Sequence, residues 1–283
     1  MTIESPTAFD LCGPLPTGTT VLEASAGTGK TFTLAALATR FVCEDVKLSD
    51  LLLVTFGNAA SRELRDRVRE RMVTAEQGLR EPAAARKQTD DPVLTLLATG
   101  DAGDVELRHE RLVRALAGFD AATIATTHSF CQQVLTGLGT AADTDPVAVF
   151  TETIDDLRQE VTDDLYLRAF AHASGAAAPF LTPAGLENLG AAAVGSDRQA
   201  RLEPAGAEGV PGRRRAATQA VRDEVARRKR ARSLVDYDDW LTQLRDALTH
   251  PVTGGVARQR VRDRYSVVMV DEFQDTDPVQ WQV

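Results

Sequence analysis

A chain of 283 residues with 43% hydrophobic content can bury one large core or two modest ones, and a net charge of −9 gives no electrostatic case for nucleic-acid binding, although a local groove can be basic on an acidic protein. Three scattered cysteines, Cys12, Cys43 and Cys131, and first residues that carry Glu4 and Asp10 with no apolar secretory core fit a reduced, cytoplasmic protein. No apolar stretch approaches the roughly 20 residues needed to cross a bilayer, which excludes membrane insertion.

The first predicted element is a strand over Thr20 to Leu22, and the next is a helix with its apolar stripe at Leu34, Leu37 and Phe41. Between them lies Ala24-Ser25-Ala26-Gly27-Thr28-Gly29-Lys30-Thr31, followed by Phe32. Strand, glycine-rich loop, Gly-Lys-Thr and amphipathic helix, in that order, are the setting of a phosphate-binding loop, with Ala24 where the usual pattern has its first glycine. Gly27 and Gly29 let backbone N–H groups turn inward around a polyphosphate, Lys30 reaches the β- and γ-phosphates, and the Thr31 hydroxyl is a ligand for Mg²⁺. Residues 24–32 are therefore expected to bind a nucleoside triphosphate. A chance glycine-rich turn is the competing reading.

Further strands are predicted near 51–55 and 122–126, each followed by a helix. The helix after Asn58 places Leu64, Val68 and Met72 inward and leaves Arg62, Arg65, Arg67, Arg69 and Arg71 chiefly as a solvated face, with contact of some of them to phosphates as the lesser reading. Ligands of open α/β sheets gather at the carboxyl ends of strands. There Phe56 and Phe130 could stack on bases, beside the polar Thr55, Asn58, Thr127, His128 and Ser129. Phe130 also forms an i, i+4, i+8 stripe with Val134 and Leu138, so a place in the core is an equal reading of that residue. The four histidines, at 109, 128, 172 and 250, have no metal-ligand spacing, and zinc is not suggested.

Between Leu138 and Tyr265 strand signals vanish. Ile154, Leu157, Val161, Leu165 and Phe170 suggest one amphipathic helix, Ala171 to Ala217 is rich in Ala, Gly and Pro and reads as containing a mobile segment, and a helical pattern resumes from Ala220. The basic runs Arg213-Arg214-Arg215 and Arg227-Arg228-Lys229-Arg230-Ala231-Arg232 are read either as solvated helix faces or as a duplex- or phosphate-contacting surface. Asp236 is placed to cap a helix with Trp240, Leu241, Leu244 and Leu248 packed inward.

The last predicted strand, 266–270, is an apolar run too short for most helices that reads as a buried central strand and ends in Asp271-Glu272-Phe273-Gln274-Asp275. Asp271 would complete the Mg²⁺ shell begun by Thr31, and Glu272 would polarise the water that attacks the γ-phosphate, so hydrolysis is expected with Glu272, Asp271 and Lys30 as its catalytic groups.

Taken together, Ala24 to Thr31 and Asp271 to Thr276 resemble the Walker A and Walker B motifs of superfamily 1 DNA helicases of the UvrD/Rep type. Leu53 to Ala60 resembles that family's motif Ia, and Ile124 to Cys131 its Thr-x-His-[Gly/Ser]-Phe segment, two strand ends that line the single-strand path in the family. Within it, Leu22 to Leu34, His128 to Gln132 and Asp275 to Trp281 are most similar to the RecB-like branch, the β subunits of exodeoxyribonuclease V, and Leu234 to Leu241 resembles a segment just upstream of Walker B in that branch.

The resemblance implies an α/β P-loop NTPase (RecA-like) parallel sheet with an inserted, mainly helical subdomain: a core over 1–138 (1A), an insertion over 139–232 (1B-like), and a return to the core over 233–283. It implies ATP and Mg²⁺ as cofactors, single-stranded DNA and single/double-strand junctions as ligands, RecC- and RecD-like subunits as partners, and 3′ to 5′ unwinding in double-strand break repair and recombination. The chain reaches Val283 just after Walker B, so the expectation is the front portion of a motor, without a second RecA-like domain, its arginine finger or a nuclease domain. A module that binds ATP and single strands without turnover, and an unrelated P-loop ATPase or kinase, are the other readings.

Overall fold

The computed structural model describes residues 8–25, 27, 29–88, 90–139, 148–171, 179–195 and 200–283; the expected nucleotide contacts Ala26 and Thr28 lie outside them. In chain order the elements are α1 (Lys30–Cys43), β1 (Leu51–Thr55), α2 (Asn58–Leu79), α3 (Pro82–Ala85), α4 (Pro92–Leu97), α5 (Ala102–Ala117), β2 (Thr123–Thr126) and α6 (Thr127–Leu138). There follow β3 (Val149–Phe150), α7 (Asp155–Phe170), α8 (Pro183–Val194), α9 (Gly209–Ala231), β4 (Leu234–Val235), α10 (Tyr237–Thr249), α11 (Gly254–Arg264), β5 (Val267–Val270) and α12 (Pro278–Gln282). They divide into two compact units, one of residues 1–141 and 244–283, the other of 142–243. Among the described residues no helix is long and apolar enough to cross a membrane.

The first unit is an α/β P-loop fold built on a parallel sheet in the order β2-β1-β5. Every residue of β1 is buried, as a central parallel strand covered on both faces must be. Its register pairs Thr55 with Thr126 and Val54 with Val270, so the carboxyl tips of all three strands end level. Val68 and Met72 of α2 and Leu112 of α5 are completely buried in the core that also takes Leu37 of α1 and Leu51 and Leu53 of β1.

No strand forms over 20–24, where one was expected. Val21 is 74% exposed and Leu22 38%, and a segment that joins no sheet ladder among the described residues does not become a strand. Two arginines of α2 depart from the chiefly solvated face that was expected. Arg71 is buried and gripped by Asp91, and Arg65 donates to the carbonyls of Ala122 and Ile124 at 3.2 and 3.4 Å.

In the second unit α7, α8 and α9 enclose Leu157, Val161, Leu186, Val221 and Val225, and the short β3 and β4 pair in parallel. The Ala-, Gly- and Pro-rich stretch read as containing a mobile segment holds α8, capped by Thr182, whose hydroxyl accepts from the Gly185 N–H at 3.0 Å. Alanine favours helix, and Gly190 lets α8 approach its neighbours: a Cβ there would meet Thr162 Cγ2 at 2.8 Å and Val221 Cγ1 at 3.4 Å. The return to the first unit falls at 244, not 233, because β4 is still tied to β3 and Lys229 to Asp236 at 2.7 Å.

Much of the basic run on α9 is engaged within the unit. Arg228 bonds Glu160, Asp164 and Glu224 at 2.5, 2.6 and 2.8 Å, Arg232 bonds Glu160 at 2.6 Å, and Arg213 lies over the Phe180 ring. Hydrogen bonds from Arg227 and then Arg228 hold the Glu224 carboxyl down to about 2.

Candidate nucleotide and nucleic-acid site

The loop before α1 turns on two glycines with left-handed backbone, Gly27 at φ 78° and Gly29 at φ 87°. A Cβ on Gly27 would meet nothing within 4 Å, so it is the dihedral angle and not crowding that calls for glycine there. Gly29 is the N-cap of α1 and provides no side chain to satisfy the first N–H groups, which leaves the positive end of the helix open to an anion. Ala24, Ser25, Gly27 and Gly29 are exposed, and Lys30 and Thr31 are half-buried in the first turn.

The acids arrive from β5. The Asp271 N–H donates to the Val54 carbonyl at 2.8 Å, which continues the β5–β1 ladder by one residue and fixes where the acid stands. Lys30 Nζ donates to Glu272 Oε2 at 2.9 Å, joining two residues 242 positions apart in sequence. This contact, led by the hydrogen bond to Glu272, raises the Lys30 pKa above its ordinary value. The Glu272 carboxyl is held below its ordinary range by hydrogen bonds from Gln274 and then Lys30. Gln274 was not singled out as a site residue, although it lies within the Asp-Glu-Phe-Gln-Asp string that drew attention to its neighbours.

Burial pushes the Asp271 carboxyl up, and the neighbouring charge of Glu272 adds to that. An anion disfavoured in this way is one that a cation would stabilise. With the hard oxygen of Thr31 it suits Mg²⁺, which takes few protein ligands and completes its shell with phosphate oxygens and water. Among the described residues no group of three or more His, Cys, Asp or Glu could hold a metal by itself. Glu272 has left-handed backbone, φ 52° and ψ 41°, a conformation costly for a residue with a Cβ and found mostly where function demands it.

The other two strand tips carry the expected nucleic-acid contacts. Thr55 is buried and its hydroxyl donates to the Gly57 carbonyl at 3.3 Å; Phe56 is half-buried and Asn58, which opens α2, is exposed. Thr126 caps α6 by accepting from the Ser129 N–H at 3.2 Å, so Thr127, His128 and Ser129 form the first turn of that helix, each half-buried. Phe130 is different: it is 9% exposed, with its ring 6.0 Å from that of Tyr265, and it belongs to the interior. The structure thus sets Lys30, Thr31, Asp271 and Glu272 at one end of the sheet and Phe56, Asn58, Thr127, His128 and Ser129 at the neighbouring tips of that same end, and leaves Phe130 out.

Residues 11–283 match a family model described as the UvrD/REP helicase N-terminal domain. The chain is 48% identical over 279 residues to RecBCD enzyme subunit RecB of Mycolicibacterium smegmatis, and 45% identical over 282 residues to the subunit of the same name from Mycobacterium tuberculosis; each match covers 97% of this chain and 25% of the relative. To the Escherichia coli subunit RecB it is 37% identical over 127 residues, 42% of this chain and 10% of the relative. The chain spans about a quarter of the length of the mycobacterial relatives.

Proposed function

The chain belongs to the UvrD/REP helicase family, whose N-terminal domain it matches, and from that premise we propose that it is the ATP-binding and single-strand-binding portion of a RecB-like, ATP-dependent DNA helicase. The observation that carries the reading is the meeting of Lys30 with Glu272, which brings a phosphate-loop lysine to a strand-end acid pair. A turn with such a pairing is a nucleotide hydrolysis site rather than a glycine-rich bend.

In this reading the N–H groups of Gly27, Gly29, Lys30 and Thr31 and the Lys30 ammonium hold the β- and γ-phosphates, and the other residues of the 24–32 motif are proposed as nucleotide contacts from the sequence alone. Thr31 and Asp271 hold Mg²⁺, which neutralises charge on the phosphate oxygens. Lys30 exchanges Glu272 for phosphate when ATP binds, and the freed carboxylate, oriented by Gln274, accepts a proton from the attacking water. Thr127, His128, Ser129 and Asn58 meet the backbone of a single strand at two helix N-termini, and Phe56 offers a ring to a base. Translocation is 3′ to 5′, and the domain works beside RecC- and RecD-like subunits in a cytoplasmic enzyme of double-strand break repair. The printed names of the relatives, subunits of a RecBCD enzyme, support that assembly.

The test is calorimetric titration of ATP–Mg²⁺ into the parent chain and Lys30→Ala. Lys30→Ala is expected to lose at least about tenfold in affinity while keeping its melting temperature, since a charge-assisted contact to phosphate contributes about 1.5–3 kcal/mol. Equal affinity in the two proteins would remove the phosphate loop from the site. If ATP binds but single strands never stimulate hydrolysis, even once a second motor domain is joined to the chain, the protein is a binding module without turnover.

A further inference from the structure

Two side chains of α2 reach across to β2. The Ser61 hydroxyl donates to the Ile124 carbonyl at 3.3 Å, and the Arg65 guanidinium bonds that carbonyl and the one at Ala122. Arg65 makes no ion pair among the described residues, so a cation spends its donors on neutral carbonyls. In the order β2-β1-β5, β2 has a strand neighbour on one side only among the described residues, and the Ile124 N–H goes to the Ala122 carbonyl at 3.2 Å. The donors that a further strand would supply come from α2 instead.

Ser61 also holds the turn that precedes its helix. Its N–H donates to the Gly57 carbonyl at 2.9 Å, and the same carbonyl accepts from the Thr55 hydroxyl at 3.3 Å, which fixes the backbone on either side of Phe56. Further along β2, Thr126 accepts from the Ser129 N–H, and its hydroxyl donates to Ser129 Oγ at 3.0 Å. The turn that carries Phe56 and Asn58 and the strand that leads into Thr127, His128 and Ser129 are thus fastened to each other from the side, in addition to the ladder between β1 and β2.

Resting on the single-strand reading proposed above, we infer that Ser61 and Arg65 are positioning residues for that strand: they clamp the start of α2 to β2, so that the two groups of contacts stand at one spacing before nucleic acid arrives. Contacts ordered in advance need not be ordered on binding, and affinity rises by what is saved. Arg65 does not touch the strand; it acts through Phe56 and His128.

The experiment titrates a thymidine oligonucleotide into the 283-residue chain at several salt concentrations, with ATP–Mg²⁺ as the second ligand. Arg65→Met is expected to weaken the oligonucleotide about fivefold and to leave ATP–Mg²⁺ unchanged. The slope of log affinity against log salt should stay that of the parent. A phosphate contact contributes about 0.7 to that slope for single strands, so a slope lowered by this amount makes Arg65 a phosphate ligand and overturns the clamp. In a chain that already carries Phe56→Ala and His128→Ala, Arg65→Met should add nothing. The same loss in that background, or an equal loss for ATP–Mg²⁺, marks a general softening of the fold and also overturns it. Where Arg65→Met does not fold, Arg65→Lys keeps the charge without the planar fork that spans two carbonyls, and is expected to show the same pattern with a smaller loss. Parental oligonucleotide affinity in the folded variant overturns the clamp. A parent chain that binds ATP–Mg²⁺ but no oligonucleotide overturns the single-strand reading beneath it.

Discussion

Glu272 is a residue held in a costly backbone so that its side chain can be in one place. Left-handed dihedral angles cost a non-glycine residue roughly 1–2 kcal/mol, and here the Lys30 and Gln274 contacts help to hold them. The strain can be isolated by comparing two variants that both lack the carboxylate. Glu272→Gly should be more stable to urea than Glu272→Ala by about 1 kcal/mol, because only glycine is relaxed at that φ. Equal midpoints would mean that the strain is not there. Arg71 shows a different residue-scale lesson. By spacing it belongs with the exposed arginines of α2, and only its fold partner Asp91, 20 positions away, makes it a buried group.

At the scale of elements, the strands at 51–55, 122–126 and 266–270 were legible within a residue as short apolar runs bounded by polar tips; the buried, central place expected of the last was not right, for β5 lies at the sheet edge with Val268 54% and Val270 40% exposed. The segment at 20–24 has a similar composition but no partner to complete it, and composition does not report partners. α8 was hidden for the opposite reason: alanine and glycine carry no hydrophobic stripe, and its helix rests on close approach rather than on bulk. Of the candidate site, the loop and the acids drew attention by motif and spacing, whereas the stripe of Phe130 with Val134 and Leu138 left core and contact as equal readings of that ring until its burial placed it inside. The approach at Gly190 can be measured. Ala is the better helix former by about 1 kcal/mol, yet Gly190→Ala should lower the unfolding free energy by about 1 kcal/mol, because Thr162 is stiff at χ1 and tied by its hydroxyl to Glu187 at 2.6 Å. A stabilised Gly190→Ala protein would show that the helices have room to part.

For the whole molecule, the charge of −9 conceals an internal arrangement in which Arg227, Arg228 and Lys229 of α9 are paired with acids on α7, on α9 itself and just after it. Net charge therefore says little about the ligand, and the strand tips say more. One feature of the sheet bears on how the protein behaves in a tube. In the order β2-β1-β5, β5 has a neighbour on one side only among the described residues, and Val268 beside that edge is 54% exposed. An edge that carries valine where lysine or proline would discourage pairing is a template for another chain. Concentrated solutions of this chain should self-associate through that edge, and Val268→Lys should shift the onset of light scattering to higher concentration without altering ATP affinity. If Val268→Lys associates as readily as the parent, the sticky surface lies elsewhere. If it does not, the sheet that carries the candidate site doubles as an aggregation seed, and a single charge placed beside it governs how long the purified protein keeps.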